Sequence, residues 1–157
     1  MDKAIFAAGC FWGVQAAFDD IEGVHTTLVG YTGGATENPT YREVCNNSTG
    51  HAEAVLVEYD PNIISFEKLL DVFWDIHDPT TLNRQGPDVG TQYRSTIFYY
   101  TDTQKNVALE SKAQLNASGK FNRPIVTEIE PAVTFYKAEE YHQKYYVKHG
   151  IKSCRIQ

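Results

Sequence analysis

The chain has 157 residues, 42% of them hydrophobic and 22% charged, with 20 acidic against 14 basic side chains and a formal net charge of −6. That length fits one domain with a real core and is too short for two comfortable ones, while the acidic excess and the absence of any basic run longer than a dipeptide argue against a nucleic-acid or anionic-membrane partner. No stretch approaches 18 apolar residues, so neither a spanning helix nor a signal peptide is expected.

Residues 4–8 read as a short buried strand running into Gly9-Cys10. Residues 11–19 suit a helix with Trp12, Ala16 and Phe18 on its apolar side and Gly23 as the stop. Residues 25–31, rich in Thr, Val, Leu and Tyr, make the next strand, ended by Gly33-Gly34. A polar stretch, 35–52, follows with Asn38-Pro39, Asn46-Asn47 and Gly50; a connection of that length inside a compact domain is usually functional or disordered. Ala54 to Tyr59 is a strand closed by Asp60-Pro61. Phe66, Leu69, Leu70, Phe73, Trp74 and His77 then fall on one helical stripe, with Ser65 as N-cap, Glu67 in the first turn and Asp78-Pro79 at the end. A second glycine-bearing polar loop covers 79–92, Ser95 to Tyr100 is a strand, and Thr103 to Ser118 a helix closed by Gly119. Val126 to Glu130 alternates as a partly exposed strand does, and a final helix over roughly 138–149 pairs Tyr141 with Tyr145 before Gly150 releases a polar tail. This order predicts an α+β chain built on a ferredoxin-like split βαβ mixed sheet, with helices on one face and an irregular C-terminal extension. With no internal repeat in it, the chain 1–157 is expected to be a single domain with a tail at about 150–157.

Cys10 holds the most informative place in this layout, at the join between strand and helix. A thiol at a helix start meets unpaired backbone N–H groups and the positive end of the dipole, which both favour the nucleophilic thiolate. Phe11 and Trp12 lie between glycines beside that sulfur, which points to redox chemistry on a small apolar substrate. Cys45 reads as an inert thiol in a short helical turn. Cys154, with Lys152 and Arg155 on either side, becomes a natural resolving thiol if Cys10 is reactive. The three cysteines form no CxxC pair, and so odd and sparse a count without a secretion signal fits a reducing compartment, with cytoplasm the default.

His51-Ala52-Glu53 carries the H-x-E pattern of zinc deaminases without the downstream Pro-Cys-x-x-Cys that they need, and the five histidines show no H-x-x-x-H, so no metal site is expected. Glu53 is either an exposed strand-end carboxylate or an acid facing Cys10 in an apolar pocket. In the second case desolvation and the neighbouring sulfur raise its pKa and leave a neutral proton donor at pH 7. Tyr93, in the run Gly90 to Ser95, is either a core aromatic or, with Tyr41, a hydroxyl donor at the mouth of a site. Gly30-Tyr31-Thr32-Gly33-Gly34 lacks Gly-Lys-Ser/Thr and ends a strand, so it takes no phosphate role.

Gly9-Cys10-Phe11-Trp12-Gly13, Gly30-Tyr31-Thr32-Gly33-Gly34, Thr49-Gly50-His51-Ala52-Glu53 and Gln92-Tyr93-Arg94-Ser95 stand in this order with compatible spacing. The set resembles the A-type peptide methionine sulfoxide reductases, over about residues 4–146. The resemblance implies that Cys10 is the nucleophile and that Glu53 protonates the sulfoxide oxygen, assisted by Tyr41 and Tyr93. It also implies that Phe11 and Trp12 hold the substrate methyl group, that Asp88 helps place the substrate, and that no cofactor is needed. Attack would leave Cys10 as a sulfenic acid and release methionine. Cys154, the one cysteine in the tail, would then condense with it to a disulfide that thioredoxin reopens. Two other readings compete: a cysteine peroxidase, which needs no aromatic methyl pocket, and a small binding module in which Cys10 is incidental.

Overall fold

The computed structural model describes residues 1–46 and 48–150. Strand β1 (Asp2–Ala8) explains the apolar run at the start of the chain: Ala4 to Ala8 are all hidden from solvent, because β1 lies inside a sheet covered on both faces. After it come α1 (Phe11–Asp19), β2 (Val24–Thr32), α2 (Tyr41–Cys45), β3 (Ala52–Tyr59), α3 (Phe66–Asp75), β4 (Arg84–Gln85) and β5 (Asp88–Val89). The chain continues through β6 (Ser95–Tyr99), α4 (Asp102–Ala117), β7 (Glu128–Pro131), β8 (Phe135–Lys137) and α5 (Tyr145–Lys148), with one-turn 3₁₀ helices at Thr91–Tyr93 and Glu140–His142.

The main sheet has six strands in the order β7-β6-β1-β3-β2-β8, and β4 pairs with β5 as a small separate ribbon. β3 lies between β1 and β2 and runs antiparallel to both, and β6 runs antiparallel to β1. The centre is therefore the expected split βαβ arrangement. β7 extends it in parallel beside β6, and β8 adds an antiparallel edge beside β2.

The pleat divides the core in two. Phe6 points at the helical face, where its ring lies 4.9 Å from Phe18 of α1 and 6.0 and 5.4 Å from Phe66 and Phe73 of α3. Ile5 and Ala7 point the other way, onto Ala52, Ala54 and Phe98, under cover of Leu56, Ala132 and Phe135. α3 buries Leu69, Leu70, Phe73 and Trp74, as its stripe predicts, and the Ser65 hydroxyl accepts from Lys68 N–H at 3.2 Å. His77 lies beyond the end of this helix, where its Nδ1 meets Phe73 O at 2.6 Å and its Nε2 meets Ser95 Oγ at 2.7 Å. Among the described residues no helix is long and apolar enough to cross a membrane.

The polar stretch 35–52 holds the short helical turn expected at Cys45, α2, closed at its start by a capping box in which Glu43 N–H donates to Thr40 Oγ1 at 3.2 Å and Thr40 N–H to Glu43 Oε1 at 2.9 Å. Two expectations need correction. The buried side of α1 is Phe11, Val14, Gln15, Ala17 and Phe18; Trp12 and Ala16 are only half-buried. The helix expected over 138–149 does not form as one piece. Ala138 N–H donates to Val29 O at 2.9 Å, continuing the β8 pairing, and Lys144 takes a left-handed backbone at φ 54° that separates the 3₁₀ turn from α5.

Candidate active site

The antiparallel register of β1 and β3 brings the site together. Phe6 faces Val55, so continuing two residues along each strand carries Ala8 towards Glu53, just ahead of Cys10. Gly9 makes the turn from strand to helix at φ 96°, and a Cβ there would press on Gln85 Cγ at 2.8 Å. Cys10 is then the N-cap of α1.

The unpaired N–H groups of the first helical turn are shared out. Phe11 N–H donates to Glu53 Oε1 at 3.3 Å, while the N–H groups of Trp12 and Gly13 reach the Cys10 sulfur. The thiolate expected at this helix start does not result. Burial, then the charges of Glu53 and Asp88, outweigh the two N–H groups and push the Cys10 thiol up to about 12. Glu53 is 1% exposed, so the reading of it as an exposed strand-end group is overturned. Burial, opposed by the Phe11 N–H and reinforced by the charge of Asp88, raises its pKa to about 8. Its Oε2 has no hydrogen-bond partner among the described residues. The resting pair at neutral pH is thus a thiol and an uncharged carboxylic acid.

Tyr41 opens α2, and its backbone N–H donates to Glu139 Oε2 at 3.0 Å. Its side chain shares a hydrogen bond with Cys45, and burial and that bond both raise its pKa. Tyr93 ends the 3₁₀ turn, where burial and the charges of Glu53, Asp88, Cys45 and Cys10 hold its hydroxyl protonated far above neutrality. Asp88, on β5, is half-buried and close enough for its charge to act on Cys10, Glu53 and Tyr93. Phe11 is buried with its ring 5.7 Å from Tyr31 and 6.5 Å from Tyr41. Trp12 stacks on Tyr145 at 3.8 Å, with the two planes 8° apart. Seven predicted residues, Cys10, Phe11, Trp12, Tyr41, Glu53, Asp88 and Tyr93, therefore converge on one place; Cys154 lies outside the described residues.

Sequence reasoning missed the supports. Glu139 receives the Tyr31 hydroxyl at 2.8 Å as well as the Tyr41 N–H, tying β2 to α2. Cys45, taken as inert, sits against the Tyr41 hydroxyl and Gln92. His51 is occupied at both ring nitrogens: Nδ1 accepts from Gly34 N–H at 3.0 Å and Nε2 donates to Thr36 O at 2.6 Å, which anchors the loop beside Glu53. A Cβ on Gly34 would overlap the backbone of His51 and Thr49, and neither can swing aside as a side chain does. Gly34→Ala is expected to cost about 1–3 kcal/mol, read as a thermal midpoint lowered by about 2–4 °C per kcal/mol. An unchanged midpoint would show that this loop is not held tightly.

A cysteine sulfur beside a carboxyl that keeps its proton, walled by aromatic rings, is the equipment of a cysteine-dependent oxidoreductase. Residues 2–157 match the family described as peptide methionine sulfoxide reductase. A relative from Methanoculleus marisnigri, named peptide methionine sulfoxide reductase MsrA, is 60% identical over 155 residues, covering 99% of this chain and 94% of its own. Among solved structures, Mxr1 from Saccharomyces cerevisiae in reduced form superposes with a TM-score of 0.90 at 36% identity, over 98% of this chain and 88% of that one. Mxr1 in complex with Trx2 matches with a TM-score of 0.65 at 29% identity, over 92% of this chain and 84% of that one. The chain belongs to the peptide methionine sulfoxide reductase family, among its A-type members.

Proposed function

We propose that this protein reduces methionine S-sulfoxide, free or in peptides and proteins, by attack of the Cys10 sulfur on the sulfoxide sulfur. The observation that carries the reading is the buried Glu53 carboxyl, protonated at pH 7 and anchored through Oε1 to the helix that starts at Cys10. A sulfoxide oxygen leaves only if it gains a proton, and Glu53 Oε2, which no described group holds, is the donor. The carboxylate so formed takes the thiol proton of Cys10. The Cys10 sulfur bonds to the substrate sulfur as the protonated S=O becomes S–OH; the hydroxyl then passes to Cys10 as the bonds from the substrate sulfur to that oxygen and to Cys10 break, giving a sulfenic acid on Cys10 and methionine.

Tyr41 and Tyr93 keep their hydroxyl protons and serve as further donors to the same oxygen. Phe11 and Trp12 wall the methyl group, and Asp88 places the substrate. A methyl group is worth only about 1 kcal/mol in an apolar pocket, so these rings orient more than they bind. Cys154 then condenses with the sulfenic acid, releasing water and leaving a Cys10–Cys154 disulfide, which a thioredoxin dithiol reopens by exchange. The crystal structure of Mxr1 in complex with Trx2 supports the choice of reductant. We read residues 1–157 as one catalytic domain acting in the cytoplasm, in keeping with the span of the family match and the sparse cysteines.

Counting free thiols by mass before and after one equivalent of a methyl sulfoxide tests nucleophile, partner and substrate class together. The expected result is the loss of one thiol pair, mapped to Cys10 and Cys154. Cys154→Ser is expected to form one equivalent of methionine and then stop, because thioredoxin has no disulfide to open. Steady-state rates with thioredoxin equal to those of the unaltered protein would remove Cys154 from the cycle.

A further inference from the structure

Arg94 takes no part in the reaction proposed above, yet its side chain, 15% exposed, is engaged at three points around the turn that carries Tyr93. That turn is a single 3₁₀ helix, Thr91–Tyr93, in which Tyr93 N–H donates to Gly90 O at 3.0 Å and Arg94 N–H to Thr91 O at 3.2 Å. So short a 3₁₀ segment has poor hydrogen-bond geometry and little stability of its own. Arg94 Nη1 donates to the same Thr91 O at 3.0 Å, so the backbone and the side chain of one residue grip one carbonyl. Arg94 Nε donates to Glu128 Oε1 at 3.2 Å, and Thr96 Oγ1 donates to that oxygen at 3.1 Å, which ties the guanidinium to β6 and β7.

The third point is Gly33, in the glycine run that ends β2. A Cβ on Gly33 would lie 3.0 Å from Arg94 Nη2 and 3.0 Å from Phe98 Cζ, at a φ of 88° that suits glycine alone. The segments Gly30–Gly34 and Gln92–Ser95, far apart in sequence, thus meet at one guanidinium. Its planar fork donates in several fixed directions at once, which a lysine ammonium on a flexible stem does not. As a stabilising ion pair the contact is weak, since Glu128 is 48% exposed. Nor is its charge what Tyr93 feels: the charges that dominate at that hydroxyl are those of Glu53, Asp88, Cys45 and Cys10. What Arg94 supplies to Tyr93 is geometry.

We propose that Arg94 is a positioning residue for Tyr93: its guanidinium locks the turn Thr91–Tyr93 onto β7 and the Gly33 backbone, and so aims the Tyr93 hydroxyl at the sulfoxide oxygen. Without the clamp the chain still enters β6, because Ser95 is paired with Ala8 in the sheet. What goes is the fixed direction of a hydroxyl at the end of a long side chain, and a displacement of about 1 Å costs a positioned group much of its effect. Substrate binding is spared, since Phe11 and Trp12 stand on α1. This inference rests on Tyr93 donating to the sulfoxide oxygen.

A double-mutant cycle between Arg94 and Tyr93 tests it. Arg94→Met removes the fork and keeps an unbranched side chain. It is expected to lower the single-turnover rate with a methyl sulfoxide about tenfold, with half-saturation by substrate within about twofold. Tyr93→Phe by itself is expected to cost about tenfold. The two together are expected to fall within about twofold of Tyr93→Phe alone, because the clamp acts through a hydroxyl that is already gone. Exchange of the Tyr93 amide is expected to quicken in Arg94→Met, while that of Ala138, bonded to Val29 O at 2.9 Å, holds. Losses that multiply to about a hundredfold overturn the inference, as does an Arg94→Met protein with its rate or its Tyr93 exchange unaltered. If Arg94→Met does not fold, Arg94→Lys takes its place in the cycle, keeping the charge but not the fork. Its loss is expected to be about threefold and to vanish in the Tyr93→Phe background; a loss that persists there overturns the inference. Tyr93→Phe at the unaltered rate strikes Tyr93 from the proposed reaction and this inference with it, whereas multiplying losses strike the inference alone.

Discussion

Cys10→Ser is expected to lower turnover of a methyl sulfoxide below about one per cent of the unaltered rate, both in a single turnover and with thioredoxin recycling. Serine is nearly isosteric with cysteine, and its hydroxyl can accept from the same Trp12 and Gly13 N–H groups that reach the Cys10 sulfur, so α1 should start as before and the thermal midpoint should not fall. What disappears is the chemistry. A serine hydroxyl is a hard, strongly basic oxygen that does not displace oxygen from sulfur, and it has no counterpart to the sulfenic acid that the cycle needs. The resting state sharpens this argument. With the Cys10 thiol pushed up to about 12, the enzyme does not rest on a stored thiolate. Its advantage lies in a thiol whose proton can replace the one that Glu53 gives away. Initial rates of methionine release measure the outcome, and activity retained above about one per cent would falsify the nucleophile assignment.

Elements with strong periodicity were legible in the sequence. The stripe from Phe66 to Trp74 became α3, and the apolar run ending at Ala8 became the central strand. The strand–helix position of Cys10 was legible too, because Gly9 at positive φ leaves few ways to go but a sharp turn into the helix. Its electrostatic sign was not. Sequence shows that helix N–H groups are near but not how much water is lost, and desolvation decides the balance. Glu53 was ambiguous for the same reason. Exposed or buried depends on where β3 begins, and its register on β1 is a long-range fact. The C-terminal segment misled because Tyr141 and Tyr145 are spaced as in a helix, while tertiary contacts impose another path. Gln143 is drawn into bonds with Val29, and Lys144 adopts φ 54° to reach Gln15 and Asp19. Glu139 rides on that path, so no local pattern announces it as a support of Tyr41.

Glu53→Gln separates proton donation from binding. The amide keeps an oxygen for the Phe11 N–H and nearly the same volume, but it has no acidic proton. The single-turnover rate is expected to fall by about 10²–10⁴, the range of a positioned general acid, with KM little changed. The pH dependence gives a second handle. The protonated carboxyl is the active form and its pKa is about 8, so the rate of the unaltered protein holds through neutrality and declines as pH rises through about 8. Glu53→Gln should lack that decline. Stability carries the opposite mark of the same burial. Unfolded, this glutamate ionises near its ordinary value of 4.5, while folded it keeps its proton to about 8, so the native state binds the extra proton between those limits. Stability therefore drops as pH rises across that window, with the full penalty present above it. Thermal midpoints of the two proteins should agree at pH 4 and separate progressively by pH 8, with Glu53→Gln the more stable. An amide that melts in parallel with the acid at every pH, or that reduces a methyl sulfoxide at the unaltered rate, would remove the uncharged buried carboxyl on which the proposed reaction turns.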